Sequence, residues 1–140
     1  MEVADPHRRS MEEIACGPAL WLWDYLRRSG ARGFFLPLSG GSDSAAVASI
    51  VASMAKLIFL NIKSGNQETL ATLRKIVRNE NFMPEKFQDI VSQMFVTSYL
   101  GTKNSSKETL NRANRIAKDI GATHFEVGID EACDSIIGIF

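Results

Sequence analysis

The chain has 140 residues, of which 45% are hydrophobic and 23% are charged. This length and apolar content predict a packed domain, or part of one, and exclude a disordered chain. The 16 basic residues balance the 16 acidic residues, so no net field attracts nucleic acid or an anionic membrane surface.

The N-terminal part predicts a loose start followed by an aromatic helix. Residues 1–9 are polar, and Ser10 with Glu13 has the spacing of a capping box that begins a helix over 10–28. The Gly17-Pro18 pair predicts a kink or a restart within this helix, because proline lacks the N–H that a helix interior needs. The aromatic side chains of the helix indicate core or subunit interface rather than a ligand cage.

A strand and a long helix flank a short polar turn. The apolar run over 34–38 predicts the first strand, and the Ala- and Val-rich stretch over 43–61 predicts a largely buried helix. The segment 57–60 within that stretch is also compatible with a short strand. The turn over 39–44 reads Ser-Gly-Gly-Ser-Asp-Ser, and it therefore connects the end of a strand to a helix N-terminus.

The rest of the chain continues to alternate helices with strands. Ser105 and Glu108 have capping-box spacing, Gly121 ends that helix, and Asp130 is the expected N-cap of a final helix. Helices are expected at 68–77, 84–90, 105–120 and from 131 onward, and strands at 94–99 and 125–129. This alternation predicts an α/β domain over 10–140, with a parallel sheet and helices on both faces.

Polar residues follow each predicted strand. They are the 39–44 turn, the segment 99–106 and Asp130. Ligands of such sheets bind beyond the carboxyl ends of the strands. We therefore expect these three positions to converge on one site.

The 39–44 loop has the chemistry of a phosphate site. A helix N-terminus presents free N–H groups and about half a positive charge to an anion. Gly40 and Gly41 let the backbone approach a phosphate closely, and Gly41 is the position where we expect positive φ. Asp43 supplies a carboxylate suited to magnesium. The hydroxyl donors of the loop are Ser39, Ser42 and Ser44.

Other known motifs with a glycine-rich or serine-containing turn do not match this loop. The chain contains no G-x-x-x-x-G-K-[ST] phosphate loop, no G-x-G-x-x-G after the strand and no G-x-S-x-G serine elbow. The structural alternative is an ordinary strand-to-helix turn in which Ser42 or Asp43 is the N-cap.

A second polar cluster lies after the second strand. It consists of Thr102, Lys103, Asn104 and Ser105, which can hydrogen-bond to a phosphate or a ribose. The alternative is a polar loop followed by a helix cap.

The remaining features exclude several other classes of site. Cys16, Cys133, His7 and His124 lack metal-ligand spacing. No targeting signal is present, and no apolar run approaches the ~20 residues that cross a bilayer. We therefore expect a cytoplasmic protein with reduced thiols and no membrane partner.

The 39–44 loop resembles that of the ATP pyrophosphatases, which cleave ATP between the α and β phosphates. Its flanks are similar to eukaryotic glutamine-dependent NAD synthetases in particular. The segments that carry this resemblance are 17–28, 102–109, 111–113, 129–130 and 138–140. Nearly the whole chain is covered.

The resemblance implies a Rossmann-like, adenine nucleotide α-hydrolase-like ligase domain that is incomplete at its C-terminus. It implies ATP and Mg²⁺ as cofactors, and deamido-NAD with glutamine-derived ammonia as substrates. It also implies a homo-oligomer in the full protein and a glutaminase domain that is absent here.

The resemblance also implies roles for individual residues. Ser39 is the catalytic residue and first phosphate donor, Gly40 and Gly41 form the backbone cradle, Ser44 is a second donor and Asp43 is the metal carboxylate. The other residues expected to bind the nucleotide are Pro37, Leu38, Ser42, Thr102, Asn104 and Ser105.

Two other functions remain open from the sequence. One is another enzyme of the same group, such as GMP synthetase or a tRNA-modifying ligase, although the latter usually carries basic patches or zinc cysteines. The other is a non-catalytic ATP-binding or dimerisation fragment.

Overall fold

Helices alternate with a parallel sheet in the described part of the chain. The structure is a computed structural model that describes the backbone of residues 6–102 and 105–138, and the side chains of 16–102, 105–130 and 134–138. Its helices are α1 (Pro6–Ser29), α2 (Ser42–Lys63), α3 (Gln67–Val77), α4 (Phe87–Met94), α5 (Lys107–Ile120) and α6 (Ile129–Ile137). Its strands are β1 (Phe34–Pro37), β2 (Phe95–Gly101) and β3 (Thr123–Gly128).

The strands form one parallel sheet in the order β1-β2-β3. Phe35 of β1 lies opposite Val96 of β2, and Ser98 of β2 lies opposite Phe125 of β3. The predicted α/β fold with a parallel sheet is confirmed. The carboxyl ends of all these strands lie at one edge, which is where the predicted site residues follow them.

Helix α2 is the centre of the core. It contacts α1, α3, α4, α5 and β1. Its buried side chains are those of Ala48, Val51, Ala52, Met54, Ala55, Ile58 and Ile62. The alternative of a short strand at 57–60 is wrong, because Ile58 belongs to this buried helical stripe and the helix continues to Lys63.

Among the described helices, α2 is the one that is long and apolar enough to cross a membrane by length and composition. Its most apolar window has a mean hydropathy of 1.9. Serine and lysine residues interrupt its apolar run, which is why no continuous run stands out in the sequence. Helix α2 contacts four other helices and a strand. Its apolar composition is therefore explained by its position as the central helix of the core.

The two faces of the sheet are covered to different extents. One face carries Phe95, Thr97 and Tyr99, which are all buried, and α4 and α5 contact the strands there. We call the other face the open sheet face. Its exposed apolar side chains are Phe35, Leu100, Phe125 and Val127. Parallel sheets are normally covered on both faces, so this surface is unusual.

Helix α1 is longer than the sequence predicts. It begins at Pro6, so 6–9 belong to the helix, and it continues through Pro18 without a restart. Pro6 is compatible with a first helical position, where its missing N–H is not needed. An interior proline costs about 3 kcal/mol. Burial of Ala19 and Leu26, in a helix that packs on α2, offsets this cost.

Helix α4 lies further along the chain than predicted. It was expected from Pro84 to Ile90 but spans Phe87–Met94. The Asp89 carboxylate decides the start, because its Oδ2 accepts the backbone N–H of Glu85 at 3.0 Å and that of Lys86 at 3.2 Å. The second strand consequently begins at 95 rather than 94.

The starts of α5 and α6 also differ from the prediction. Ser106, not Ser105, is the N-cap of α5, and its Oγ accepts the N–H of Thr109 at 3.2 Å. The third strand begins at 123 and ends at 128, and Gly128 is the N-cap of α6. Asp130 lies in the first turn of that helix, so its predicted role as an N-cap is wrong.

Candidate functional site

The end of β1 holds the start of the 39–44 loop firmly in the core. Leu38 is 1% exposed, and its N–H donates to the carbonyl of Ser98 at 2.7 Å, which extends the pairing with β2. The side chain of Leu38 is therefore not available to a nucleotide, and only its backbone is. Pro37 is exposed at the end of β1.

Gly40 is the tightest position of the loop. It is buried and has φ of +80°. A Cβ there would lie 2.9 Å from both Cα and the carbonyl carbon of Thr109, and closer still to the carbonyl oxygen. Both the backbone conformation and the space require glycine.

Gly41 does not have the positive φ that the sequence predicts. It is the N-cap of α2, with φ of −86° and ψ of 173°, which is an extended conformation open to any residue. The expected use of Ser42 or Asp43 as N-cap is also wrong, because α2 begins at Ser42.

The serine hydroxyls of the loop bind one another. Oγ of Ser39 lies 3.1 Å from Oγ of Ser44 and accepts the N–H of Gly41 at 3.2 Å. Oγ of Ser44 accepts the N–H of Ser39 at 3.3 Å and can donate to the carbonyl of Gly41 at the same distance. Two predicted phosphate donors, Ser39 and Ser44, are thus brought together in a closed loop.

The N-terminus of α2 presents N–H groups that have no partner within the helix. The first hydrogen bond within α2 runs from the N–H of Ala45 to the carbonyl of Gly41 at 3.3 Å. The N–H groups of Ser42, Asp43 and Ser44 precede it and have no acceptor within the helix. Together with the helix dipole they form an anion site beside the two hydroxyls.

Asp43 is the one acidic residue in the first turn of α2, and it is exposed. No group of three or more histidine, cysteine or acidic residues that could hold a metal occurs among the described residues. Mg²⁺ commonly takes one or two carboxylates and completes its shell with waters and substrate phosphates. The single carboxylate of Asp43 beside a phosphate site fits that pattern.

A second part of the site lies at the ends of β2 and β3. An open cavity of about 350 Å³ lies there. It is lined by Tyr99, Gly101, Thr102, Ser105, Ser106, Lys107, Leu110, Glu126, Val127 and Gly128. Polar hydroxyls, one amine and one carboxylate line it together with apolar side chains, which is a suitable surface for a base and a sugar.

Thr102 and Ser105 are brought together at the rim of this cavity. Oγ of Ser105 accepts the N–H of Thr102 at 2.9 Å and lies 3.2 Å from Oγ1 of Thr102. Lys103 and Asn104 lie outside the described residues. Gly128, at the end of β3, lines the cavity, but Asp130 does not, so the structure does not bring Asp130 itself into this part of the site.

Sequence reasoning missed Thr109 and Glu126. Oγ1 of Thr109 lies 2.9 Å from the hydroxyl of Tyr99. The backbone of Thr109 is in contact with Gly40. Glu126 lines the cavity, and its Oε1 accepts from the side-chain amide of Asn114 at 2.9 Å. The spacing of Ser106 and Thr109 matches an N-cap and its N3 position. This spacing is the signal in the sequence that could have identified Thr109.

His124 lies behind the cavity on the covered face. Its Nδ1 is 2.8 Å from Oγ1 of Thr97, and its Nε2 is buried without a hydrogen-bond partner among the described residues. Burial lowers the pKa of His124 below its ordinary value of 6.5, and the nearby charge of Glu126 raises it in part. The imidazole is therefore neutral at pH 7 and adds no positive charge to the site.

Comparison with known proteins identifies relatives over most of the chain. The sequence model of the NAD synthase family matches residues 17–138. A glutamine-dependent NAD(+) synthetase of Dictyostelium discoideum is 52% identical over 130 residues, which make up 92% of this chain and 18% of the relative. That of Saccharomyces cerevisiae is 45% identical over 141 residues, covering 99% of this chain and 20% of the relative.

A solved structure is similar as well. The crystal structure of a glutamine-dependent NAD(+) synthetase from Cytophaga hutchinsonii superimposes with a TM-score of 0.70 and 34% sequence identity. The match covers 85% of this chain and 21% of that chain. The chain therefore spans about one fifth of the length of the relatives it matches.

Proposed function

This chain belongs to the NAD synthase family, and we propose that it carries the ATP-binding part of a ligase that forms NAD from deamido-NAD. The observation that carries the proposal is the 39–44 loop, which places two serine hydroxyls 3.1 Å apart beside the first N–H groups of α2, which have no acceptor within the helix. That point lies at the carboxyl end of β1, where ligands of parallel sheets bind.

The proposed reaction has two steps. The nicotinate carboxylate of deamido-NAD attacks the α-phosphorus of ATP, so that an acyl adenylate forms and pyrophosphate leaves. Ammonia then attacks the acyl carbon and displaces AMP, which leaves the amide of NAD. Activation is needed because the oxygen of a free carboxylate is a poor leaving group.

The loop residues stabilise the charge that builds on pyrophosphate as it leaves. The N–H groups of 42–44 and the hydroxyls of Ser39 and Ser44 donate to the β- and γ-phosphate oxygens. Gly41 keeps a side chain away from those oxygens, whereas Gly40 is required by its contact with the backbone of Thr109. Asp43 would hold a magnesium ion at this site, and that ion would neutralise phosphate charge when bound. The cavity at the ends of β2 and β3 takes the nucleoside.

The remaining parts of the reaction belong to the longer protein. The relatives are named glutamine-dependent, so we propose glutamine as the source of ammonia, through a domain beyond this chain. We also propose a cytoplasmic homo-oligomer for the full protein.

A second function is favoured for the chain in isolation. Because it spans about one fifth of its relatives, we propose that it binds ATP without forming the amide. The relatives compared are NAD synthetases, which leaves no observation in favour of GMP synthetase or a tRNA-modifying ligase.

ATP–pyrophosphate exchange tests both proposals in one assay. Calorimetry with MgATP is run first, and exchange of labelled pyrophosphate into ATP is then measured with and without deamido-NAD. Binding with exchange only in the presence of deamido-NAD supports a ligase in the chain itself. Binding without exchange supports the ATP-binding part alone. A folded chain that binds no MgATP contradicts both.

A further inference from the structure

A chain of contacts joins the two parts of the candidate site. It begins at Tyr99 near the end of β2, which is 6% exposed and lines the cavity. Its hydroxyl lies 2.9 Å from Oγ1 of Thr109, in the first turn of α5. Thr109 Oγ1 donates to the carbonyl of Ser106 at 2.9 Å. With that hydrogen used, Tyr99 is the donor in its bond to Thr109.

The backbone of Thr109 is the surface that supports Gly40. A Cβ at Gly40 would lie within 3 Å of three backbone atoms of Thr109, so the two segments are in direct contact. The first turn of α5 therefore forms the wall behind the 39–44 loop. Its position decides where the N–H groups of that loop point.

The bond from Tyr99 is not needed to cap α5. Ser106 already caps the helix through the N–H of Thr109 at 3.2 Å, and its Oγ lies 3.0 Å from Oγ1 of Thr109. The Tyr99 bond instead ties this turn to β2. The ring of Tyr99 is itself seated against Gly101, where a Cβ would lie 3.2 Å from the ring.

We propose that Tyr99 and Thr109 are positioning residues that hold the 39–44 loop in register with the cavity at the ends of β2 and β3. Tyr99 fixes the first turn of α5, and the backbone of Thr109 then fixes Gly40. The proposal rests on the proposed function, because the loop and the cavity must hold the two ends of one nucleotide.

Four single variants and one double variant of the 140-residue chain test this proposal. Tyr99→Phe and Thr109→Val remove the hydroxyls of the pair, and Thr109→Ser keeps one. Tyr25→Phe removes an equivalent phenol from α1, where Tyr25 is exposed, and is the matched control. Two quantities are measured: amide hydrogen exchange of the 39–44 loop without nucleotide, and the Kd for MgATP.

The expected result is local to the loop. Tyr99→Phe increases exchange at the loop amides and weakens MgATP binding by about fivefold, as expected for one lost hydrogen bond. Thr109→Val has at least this effect, because it also removes the contacts of Thr109 Oγ1 with Ser106. Exchange in α3 stays unchanged. Thr109→Ser and Tyr25→Phe match the parent. The double variant Tyr99→Phe/Thr109→Val resembles Thr109→Val alone, because both changes break one connection.

Several results would overturn the proposal. One is loop exchange in Tyr99→Phe and Thr109→Val equal to that in Tyr25→Phe. Another is faster exchange in α3 to the same extent as in the loop, which is the signature of general destabilisation. A parent chain that binds no MgATP contradicts the proposed function instead, while the exchange rates without nucleotide still decide the positioning role.

Discussion

At the scale of single residues, the 39–44 loop depends on a glycine that cannot be replaced and on serines that bind each other. Gly40 combines positive φ with contact against the backbone of Thr109. The Ser39 and Ser44 hydroxyls keep the loop closed at 3.1 Å. This contact holds the loop in a conformation suited to phosphate. A bound anion must replace the contact between the two hydroxyls, which costs a small amount of binding free energy.

The two glycines of the loop should respond differently to substitution. Gly40→Ala is expected to lower the free energy of unfolding by at least about 2 kcal/mol, from positive φ and the clash with Thr109. Gly41→Ala is the comparison variant, expected to cost about 1 kcal/mol, because its backbone is extended but alanine is a poorer N-cap and its Cβ would lie 3.2 Å from the Oγ of Ser39. Urea unfolding of both variants measures the difference. Equal losses would contradict the assignment of Gly40 as the constrained position.

Asp43 is predicted to bind magnesium. Asp43→Ala should reduce the dependence of ATP affinity on Mg²⁺, because it removes the charged oxygen ligand of the loop while leaving the N–H groups in place. Glu68→Ala is the control, since Glu68 is the acidic residue of the first turn of α3. ATP titrations at several magnesium concentrations are compared by calorimetry. Unchanged magnesium dependence in Asp43→Ala would remove this residue from the metal site.

At the scale of secondary-structure elements, side-chain caps decide where helices begin. Asp89 sets the start of α4 by accepting two backbone N–H groups. Ser106 caps α5, although the neighbouring Ser105 has the better sequence spacing with Glu108. Ser105 is used instead to accept the N–H of Thr102 at 2.9 Å, which shapes the rim of the cavity.

The two neighbouring serines provide a direct test of this arrangement. Ser106→Ala should destabilise the chain by about 1 kcal/mol, the usual cost of a lost N-cap. Ser105→Ala should have a smaller effect on stability, because it leaves the cap of α5 in place. Thermal or urea unfolding of the two variants measures the difference. The reverse order of stabilities would restore the capping box at Ser105 that the sequence predicts.

The positions of the strands could be predicted from the sequence, but several boundaries could not. Apolar runs at 34–38 and 94–99 indicate their strands because burial of a strand requires them. The start of α4 depends on whether Pro84 begins the helix or the Asp89 carboxylate caps a helix that begins at Phe87, and both are compatible with the pattern. The contact between Gly40 and Thr109 joins segments far apart in the chain, so only the tertiary fold reveals it.

At the scale of the whole molecule, apolar surface is left uncovered on one side of the sheet. The open sheet face presents Phe35 at 63% exposure and Phe125 at 55%. Trp21 and Ile137 are exposed elsewhere, whereas Trp23 packs partly against the core. Ile139 and Phe140 lie outside the described residues. Large exposed apolar surfaces of this kind mark sites of contact with another molecule.

The chain alone is expected to self-associate through the open sheet face. The double variant Phe35→Lys/Phe125→Lys should shift the association equilibrium toward monomer, because each lysine places a charge in that apolar surface. Leu60→Lys, at an exposed apolar position of α2, is the control and should leave association unchanged. Sedimentation velocity over a range of concentrations measures the effect. A monomeric parent chain, or equal effects of the two sets of changes, would contradict this prediction.

We propose that the 39–44 loop binds the phosphates of ATP while the cavity at the ends of β2 and β3 takes the nucleoside. Amide chemical shifts of the ¹⁵N-labelled chain, titrated with MgATP and separately with adenosine, test it most directly. We predict that MgATP shifts the amides of 40–44 together with those lining the cavity, and that adenosine shifts only the cavity set. A chain in which MgATP leaves the amides of 40–44 unmoved would contradict the account.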